Sequence, residues 1–527
     1  MEALLVLFEV VRLLLRLALA YACYHFLRSA LLARREPPRP EPIDAALPGE
    51  LPSVTVQLPM RNEYYVAERA IDAACALDWP RDRLEIQVLD DSDDQSRELV
   101  RRIVERHVAR GVPLRLITRP APSGYKAGAL NEGLRQSHGE LVAIFDADSM
   151  PPPDFLRRIV PGFADPRVGA VQGRWEFTNR DESLVARVQS SVLDGMFVVD
   201  QHVRSMEGLP LQFNGTSGVW RRRCLEEVGG WNEESITEDL DLSVRAQLAG
   251  WRIVHRRDLA VPTELPASMA AFRSQQRRWC NGSAQALRQL AGRVIRSPLS
   301  WHARLALLMQ LGRHAIYPPI LISVLSAPGT TLFGLPYLVD YGAANLLLLA
   351  VVLVALLAHH LAAQRYLRQP ARRLLHVPLI IPLVVGVSLR YTISLVSGLL
   401  FRGGPFVRTP KPGAAVAGGP VYTPPWDPLA IGEVLIGAAY LGCAVLTMLA
   451  RFRIYGVLFF GVAAGFLWVG LGSLWPGSAR GLSDPGSPPP EPPGDGRTGG
   501  PAPETPPPGS GASAASESGP GRPGADR

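Results

Sequence analysis

Apolar residues gather near both ends of the chain and alternate with polar ones in between. Residues 3–31 are almost all apolar, broken only by a few charges such as Arg12 and Arg16. The run is too long and leucine-rich for a signal peptide, and no small-residue cleavage site follows, so residues 1–35 predict a transmembrane helix. Its arginines must snorkel or face protein. Arg28 near the end of the run, Arg34 and Arg35 after it, and Glu2 before it place the next domain in the cytoplasm. Residues 36–52 are proline-rich and read as a linker.

From 53 to 266 the period changes. Val54–Leu58 is a short apolar run, followed by a helix over about 65–76. Leu84–Leu89 is a second strand, ending in Asp90-Asp91-Ser92-Asp93-Asp94. A helix over about 95–110, a strand at Leu114–Ile117 and a helix around 126–137 lead into Leu141–Phe145, which ends in Asp146-Ala147-Asp148. Strand–helix–strand spacing of this kind predicts an α/β domain: a parallel sheet with helices on both faces. Such folds bind ligands at the carboxyl ends of their strands, where both acidic clusters fall.

Residues 267–304 are amphipathic. Phe272, Trp279, Leu287, Leu290 and Val294 recur near helical period, with Arg273, Arg277, Arg288, Arg293 and Arg296 among them, a pattern suited to a helix in the membrane interface or, more simply, a docking helix. Apolar stretches follow at 305–336, 341–364, 375–400, 429–449 and 453–475, each near the roughly 20 residues that a span needs. We read 305–475 as a transmembrane region, interrupted by a turn-rich loop at 401–428. Residues 476–527 are Pro, Gly, Ser and Ala with isolated charges, a composition expected to be disordered.

Composition adds little and excludes some classes. The net charge of +7 is nearly all arginine: only Lys126 and Lys411 among the 55 basic residues are lysine. Without an Arg-plus-aromatic stripe, nothing points to nucleic acid. The five cysteines are scattered, with neither metal spacing nor a disulfide framework.

The candidate chemistry lies in short motifs. Asp146 and Asp148 offer two carboxylates to a hard divalent cation, one that takes its other ligands from phosphates. Asp90 and Asp91 offer acceptors to a base or ribose, whereas Asp93 or Asp94 suits a helix cap. Ser123-Gly-Tyr-Lys126-Ala-Gly128 is a Gly-flanked turn whose N–H groups and lysine suit phosphate. Thr237-Glu238-Asp239 opens a helix. It reads either as a cap or as a catalytic pair, with Asp239 the general base that takes a proton from an attacking hydroxyl. Gln275, Arg278 and Trp279 sit at i, i+3 and i+4 on one helical face. An amide, a fixed cation and an indole together suit sugar hydroxyls, a diphosphate and the apolar face of a pyranose.

Asp90-Asp91, Asp146-x-Asp148, Thr237-Glu238-Asp239 and Gln275-x-x-Arg278-Trp279, in this order, resemble family 2 glycosyltransferases of the cellulose, chitin and hyaluronan synthase type. Gln87–Ser92, Gly124–Gly128, Val171–Trp175, Phe213–Arg221 and Gln275–Trp279 are similar to the plant cellulose-synthase-like mannan and glucan synthases. The resemblance covers about residues 53–290. It implies a GT-A (Rossmann-like) catalytic domain, a nucleotide-sugar donor such as GDP-mannose or UDP-glucose, and Mg²⁺ or Mn²⁺. By position, Asp90 and Asp91 would contact the nucleoside, Lys126 the nucleotide, Asp146 the diphosphate, and Asp146 with Asp148 the metal. Arg278 would bind diphosphate. Gln275 and Trp279 would cradle the acceptor sugar, and Phe213, Asn214 and Gly215 would line its entrance. Phe406–Lys411 resembles a loop that covers the donor, which assigns Lys411 to donor binding.

The resemblance implies an inverting, processive enzyme that polymerises a β-linked hexose, passes it through the membrane, and leaves room for accessory export proteins. A non-processive enzyme making a glycolipid is the alternative. The membrane is a plasma (inner) or Golgi-like one. If all five later stretches crossed, the 401–428 loop would lie opposite the catalytic domain. We therefore expect 375–400 to stop short of crossing, with a break at Arg390 and 390–400 in the interface.

Overall fold

In the computed structural model, residues 2–34, 49–332, 342–401, 427–450 and 453–474 are described. Most of the predicted linker, the loop with Lys411, and the tail at 476–527 lie outside them.

Seven strands form one sheet: β1 (Val54–Met60), β2 (Leu84–Asp90), β3 (Leu114–Thr118), β4 (Leu141–Ile144), β5 (Val168–Phe177), β6 (Gly218–Arg221) and β7 (Arg252–Thr263). Their order is β3-β2-β1-β4-β6-β5-β7. β1 to β4 are parallel, as the strand–helix–strand spacing predicts. The sheet is nonetheless mixed, because β6 runs antiparallel to both β4 and β5. β6 reads Gly-Val-Trp-Arg, four residues without the apolar run that marks the equally short β4.

Both faces are covered. Val56, Leu58 and Ile86 pack with Ile71 and Ile103 of the helices Ala67–Cys75 and Ser96–Val108. On the other face, Val142, Ile144 and Trp220 pack with Leu130 of helix Tyr125–Gln136 and Leu242 of helix Glu238–Leu248. Two glutamines inside the sheet meet: Gln57 Nε2 donates to Gln87 Oε1 at 3.2 Å, and Gln87 Nε2 donates to Glu85.

The amphipathic stretch is one 28-residue helix, Met269–Arg296, started by Ser268 Oγ accepting from Ala271 N. It is docked rather than isolated. Leu290 and Val294 pack with Leu240 and Val244 of the catalytic domain and with Leu307 and Leu311. Two glycines make the fit close. A Cβ at Gly282 would lie 2.4 Å from Thr237 Cγ2, and one at Gly398 would lie 2.5 Å from Asn281 O.

Four described helices are long and apolar enough to cross a membrane: Glu9–Leu32, Ala344–Tyr366, Leu429–Leu449 and Ile454–Leu474. A fifth candidate is a pair, Ala371–Gly386 and Ser388–Leu400, bent by 54°. The bend is at Val387, so Arg390 does not mark the break. Arg390 sits inside the second helix and is 1% exposed. It donates from Nε and Nη2 to Glu433 at 3.1 and 2.8 Å, and from Nη1 to Asp427. The 305–336 stretch is not a single element either. It divides into Trp301–Leu311 and Tyr317–Leu332 around Gly312, Arg313 and His314. In the first helix Arg12 faces protein, with Nη2 3.0 Å from Ser326 Oγ.

Candidate active site

The carboxyl ends of β1, β2 and β4, the loop before β6, and the starts of two helices enclose a cleft of about 490 Å³. Asp146 and Asp148 enter it directly from β4. Asp146 N donates to Thr216 Oγ1 at 2.8 Å, which ties this turn to the 213–217 loop.

Lys126 arrives from the Gly-flanked turn. Gly124 has φ 66° and Tyr125 φ 49°, and a Cβ at Gly124 would meet Glu233 Cβ at 2.7 Å, so this sharp turn needs glycine there. The turn does not stand open as a separate phosphate cradle. Lys126 Nζ donates to Asp146 Oδ1 at 2.5 Å and to Gly215 O at 2.9 Å, and lies 3.7 Å from Glu238 Oε1. Burial works against its charge, but Asp146 and Glu238 outweigh burial and hold the ammonium above its usual range.

Glu238 and Asp239 complete the acidic wall. Asp239 Oδ1 accepts from Leu240 N at 2.8 Å and Oδ2 from Gln212 Nε2 at 3.3 Å. A methyl at Gly215 would sit 3.4 Å from Asp239 Oδ2 and 3.5 Å from Lys126 Nζ, which shows how closely the two groups converge. Burial pushes both acids up, Glu238 to about 7, while Lys126 pulls them back. An acid held near neutrality suits proton transfer. The helix-cap alternative for Thr237 is not met: its Oγ1 has no partner among the described residues.

Gln275, Arg278 and Trp279 line the opposite wall together, as their helical spacing predicts. Gln275 is oriented by Gln189, whose Nε2 donates to its Oε1 at 2.8 Å.

Other expected residues stand elsewhere. Asp90 is fully buried, with Oδ1 accepting from Ser92 N and Oγ, and it does not line the cleft. Asp91 does, paired with Arg119 at 3.0 and 2.5 Å. Of the two cap candidates, Asp94 meets the start of the following helix, its Oδ1 accepting from Ser96 N at 2.8 Å, while Asp93 bonds Asn62 and Arg61. Phe213 is a core residue packed on Trp220, with ring centroids 5.1 Å apart, while its neighbours Asn214 and Gly215 reach the cleft. Lys411 lies outside the described residues.

Sequence reasoning passed over Arg61, Asn62 and Glu63 after β1, and Trp175 and Glu264, all of which line the cleft. The first three stand at a strand's carboxyl end, and the rule that singled out the aspartates would have found them.

No group of three His, Cys, Asp or Glu side chains among the described residues is arranged to hold a metal ion. Asp146 and Asp148 are the two carboxylates that enter from β4. That donor set fits a hard cation drawing its remaining ligands from phosphate and water.

Residues 55–225 match the family described as "Glycosyl transferase family 2", and residues 141–389 match "Glycosyl transferase family group 2". The chain carries family 2 glycosyltransferase domains. Glucomannan 4-beta-mannosyltransferase 7 of Arabidopsis thaliana is 49% identical over 251 residues, 47% of this chain and 45% of that protein. Glucomannan 4-beta-mannosyltransferase 2 of the same plant is 46% identical over 251 residues, 47% of each. The chain thus spans about half the length of the curated relatives it matches. Among solved structures, the mannosyltransferase PcManGT from Pyrobaculum calidifontis, in complex with GDP-Man and Mn²⁺, is 26% identical. It aligns with a TM-score of 0.51 over 68% of this chain and 97% of its own. The seven-stranded mixed sheet is therefore GT-A-like, as the family 2 motifs imply.

Proposed function

We propose that this protein is an inverting hexosyltransferase that moves mannose from GDP-mannose to the end of a β-linked glycan at a membrane. One observation carries the reading. Asp146, Asp148, Glu238 and Asp239 share a single cleft with Gln275, Arg278 and Trp279. Relatives named glucomannan mannosyltransferases, and a GT-A neighbour solved with GDP-Man and Mn²⁺, favour mannose over glucose.

Asp239 takes the proton from the acceptor hydroxyl. The freed oxygen attacks the anomeric carbon as the bond to the diphosphate breaks on the opposite side, so the configuration inverts and the nucleoside diphosphate leaves. Asp146 and Asp148 would hold Mg²⁺ or Mn²⁺, which supplies positive charge for the departing diphosphate. Arg278 adds a fixed cation for that diphosphate. Trp279 gives the acceptor sugar an apolar platform, Gln275 hydrogen-bonds its hydroxyls, and Asn214 and Gly215 flank its entry. Asp91, braced by Arg119, faces the nucleoside.

The helix bearing Gln275 and Trp279 packs on Ser388–Leu400 of the bent pair, so the acceptor cradle adjoins the membrane helices. That adjacency favours a processive synthase, facing the cytoplasm and passing its product through the bilayer, over a glycolipid enzyme. The test is purified full chain in lipid nanodiscs, given GDP-mannose or UDP-glucose, with products sized and extracted. GDP-mannose should drive nucleotide release and long, lipid-free chains. EDTA should abolish both, and Mn²⁺ or Mg²⁺ should restore them. A short lipid-linked product would replace processive synthesis with the glycolipid reading, and metal-independent turnover would remove the Asp146–Asp148 assignment.

A further inference from the structure

On its Oδ2 side Asp239 meets the side chain of Gln212, which no motif singled out. Gln212 Nε2 reaches Asp239 Oδ2 at 3.3 Å, and its Oε1 accepts from Arg313 Nη2. A primary amide has a donor end and an acceptor end, and an arginine can only donate. Arg313 therefore dictates which end of Gln212 faces it. With the carbonyl claimed by Arg313, the NH₂ must point at the carboxylate. Flipped, the amide would set an oxygen against the Asp239 oxygen.

Arg313 is itself placed. It lies in the break between Trp301–Leu311 and Tyr317–Leu332, and its Nε donates to Gln310 O at 2.9 Å. The next residue, His314, meets Ser283 Oγ of the Trp279-bearing helix at 2.7 Å through Nδ1. This break in the apolar stretch thus has a chemical use: it turns an arginine toward the catalytic wall while staying tied to the acceptor helix.

We propose that Arg313 is a positioning residue for sugar transfer, fixing the Gln212 amide and through it the orientation of the Asp239 carboxylate. The inference rests on Asp239 being the base. The Arg313 charge also favours ionised Asp239, in the same sense as Lys126.

The test uses full chain in nanodiscs with GDP-mannose and a mannan oligosaccharide acceptor. Arg313→Ala should lower kcat by up to about 100-fold, the scale on which small misplacements act, and leave the donor KM within about twofold. Loss of the cation raises the base's pKa, so the acidic limb of the kcat profile should move to higher pH. Arg313→Lys should recover part of the rate. Gln212→Ala should reproduce the loss without touching the helix break, which keeps the proposal testable if Arg313→Ala misfolds. The Arg313→Ala/Asp239→Asn double variant should be no slower than Asp239→Asn alone, because the effect passes through Asp239. Wild-type kcat in Arg313→Ala or Gln212→Ala, with Asp239→Asn inactive, would overturn the proposal alone. So would an equal further slowing of Asp239→Asn by Arg313→Ala. Full activity in Asp239→Asn would remove the base reading and the proposal together.

Discussion

Two clusters of buried charge adjoin the first half of the Met269–Arg296 helix, one through Arg273 and one through Gln275, Arg278 and Trp279, and they are built differently. In the cleft, Asp146, Glu238 and Asp239 crowd around Lys126, and the lining as a whole sets seven acids against Arg61, Lys126 and Arg278. Among the membrane helices, two arginines meet two carboxylates: Arg390 with Glu433 and Asp427, and Arg273 3.7 Å from Asp427. The second cluster is balanced, and Arg390 meets both oxygens of Glu433. The first is left short of positive charge. A protein that gained only stability from its ions would balance both. The imbalance in the cleft is what a site for a cation and an anionic donor requires, and perturbed acids gather at such sites.

The comparison can be broken by replacing one acid in each cluster. Asp239→Asn should cut transfer by about 10²–10⁴-fold, the usual worth of a general base, with donor KM nearly unchanged. It also removes a like charge beside Glu238, so the unfolding midpoint in detergent should be no lower than wild type. A large loss of stability there would make the cleft structural. Glu433→Ala should do the reverse. It leaves Arg390 buried without its bidentate partner, at a cost of about 3–5 kcal/mol, read as a lower unfolding midpoint and poor membrane yield. The double replacement Arg390→Met/Glu433→Leu should return stability close to wild type, since well-packed apolar residues often replace a buried pair without loss. If the double variant is stable yet inactive, the membrane cluster has a role beyond holding helices.

Smaller effects sharpen the picture between the two clusters. Gly282→Ala pushes a methyl into Thr237, next to Glu238, and should cost about 1–3 kcal/mol of stability while raising the acceptor KM. Trp279→Phe keeps an aromatic face and should weaken the acceptor by only about 0.5–1.5 kcal/mol, a several-fold rise in its KM with donor KM unchanged.

Much of the candidate cleft's lining was legible because its residues follow backbone periodicity. Asp146 and Asp148 are two apart at a strand's end, and Gln275, Arg278 and Trp279 are on one helical stripe. Both spacings keep side chains together. The same rule explains two misplacements. Neighbours along an extended chain face opposite ways, so Asp90 and Asp91 do not both look into the cleft, and neither do Phe213 and Asn214. What the sequence could not show are partnerships across long separations. Gln212 and Arg313 are 101 residues apart, and Arg390 and Glu433 are 43. Hydropathy averaged over 305–336 likewise hides Arg313 and His314, whose polar contacts break the helix. The antiparallel β6 was invisible for want of an apolar run.

The acceptor helix is notched on two sides, by Thr237 against Gly282 and by Gly398 against Asn281. The two contacts fall on neighbouring residues, two and three positions beyond Trp279, so they set the height of the indole against Thr237 on one side and the bent pair on the other. On the proposed reading, a growing sugar chain would slip past an indole that is held in place.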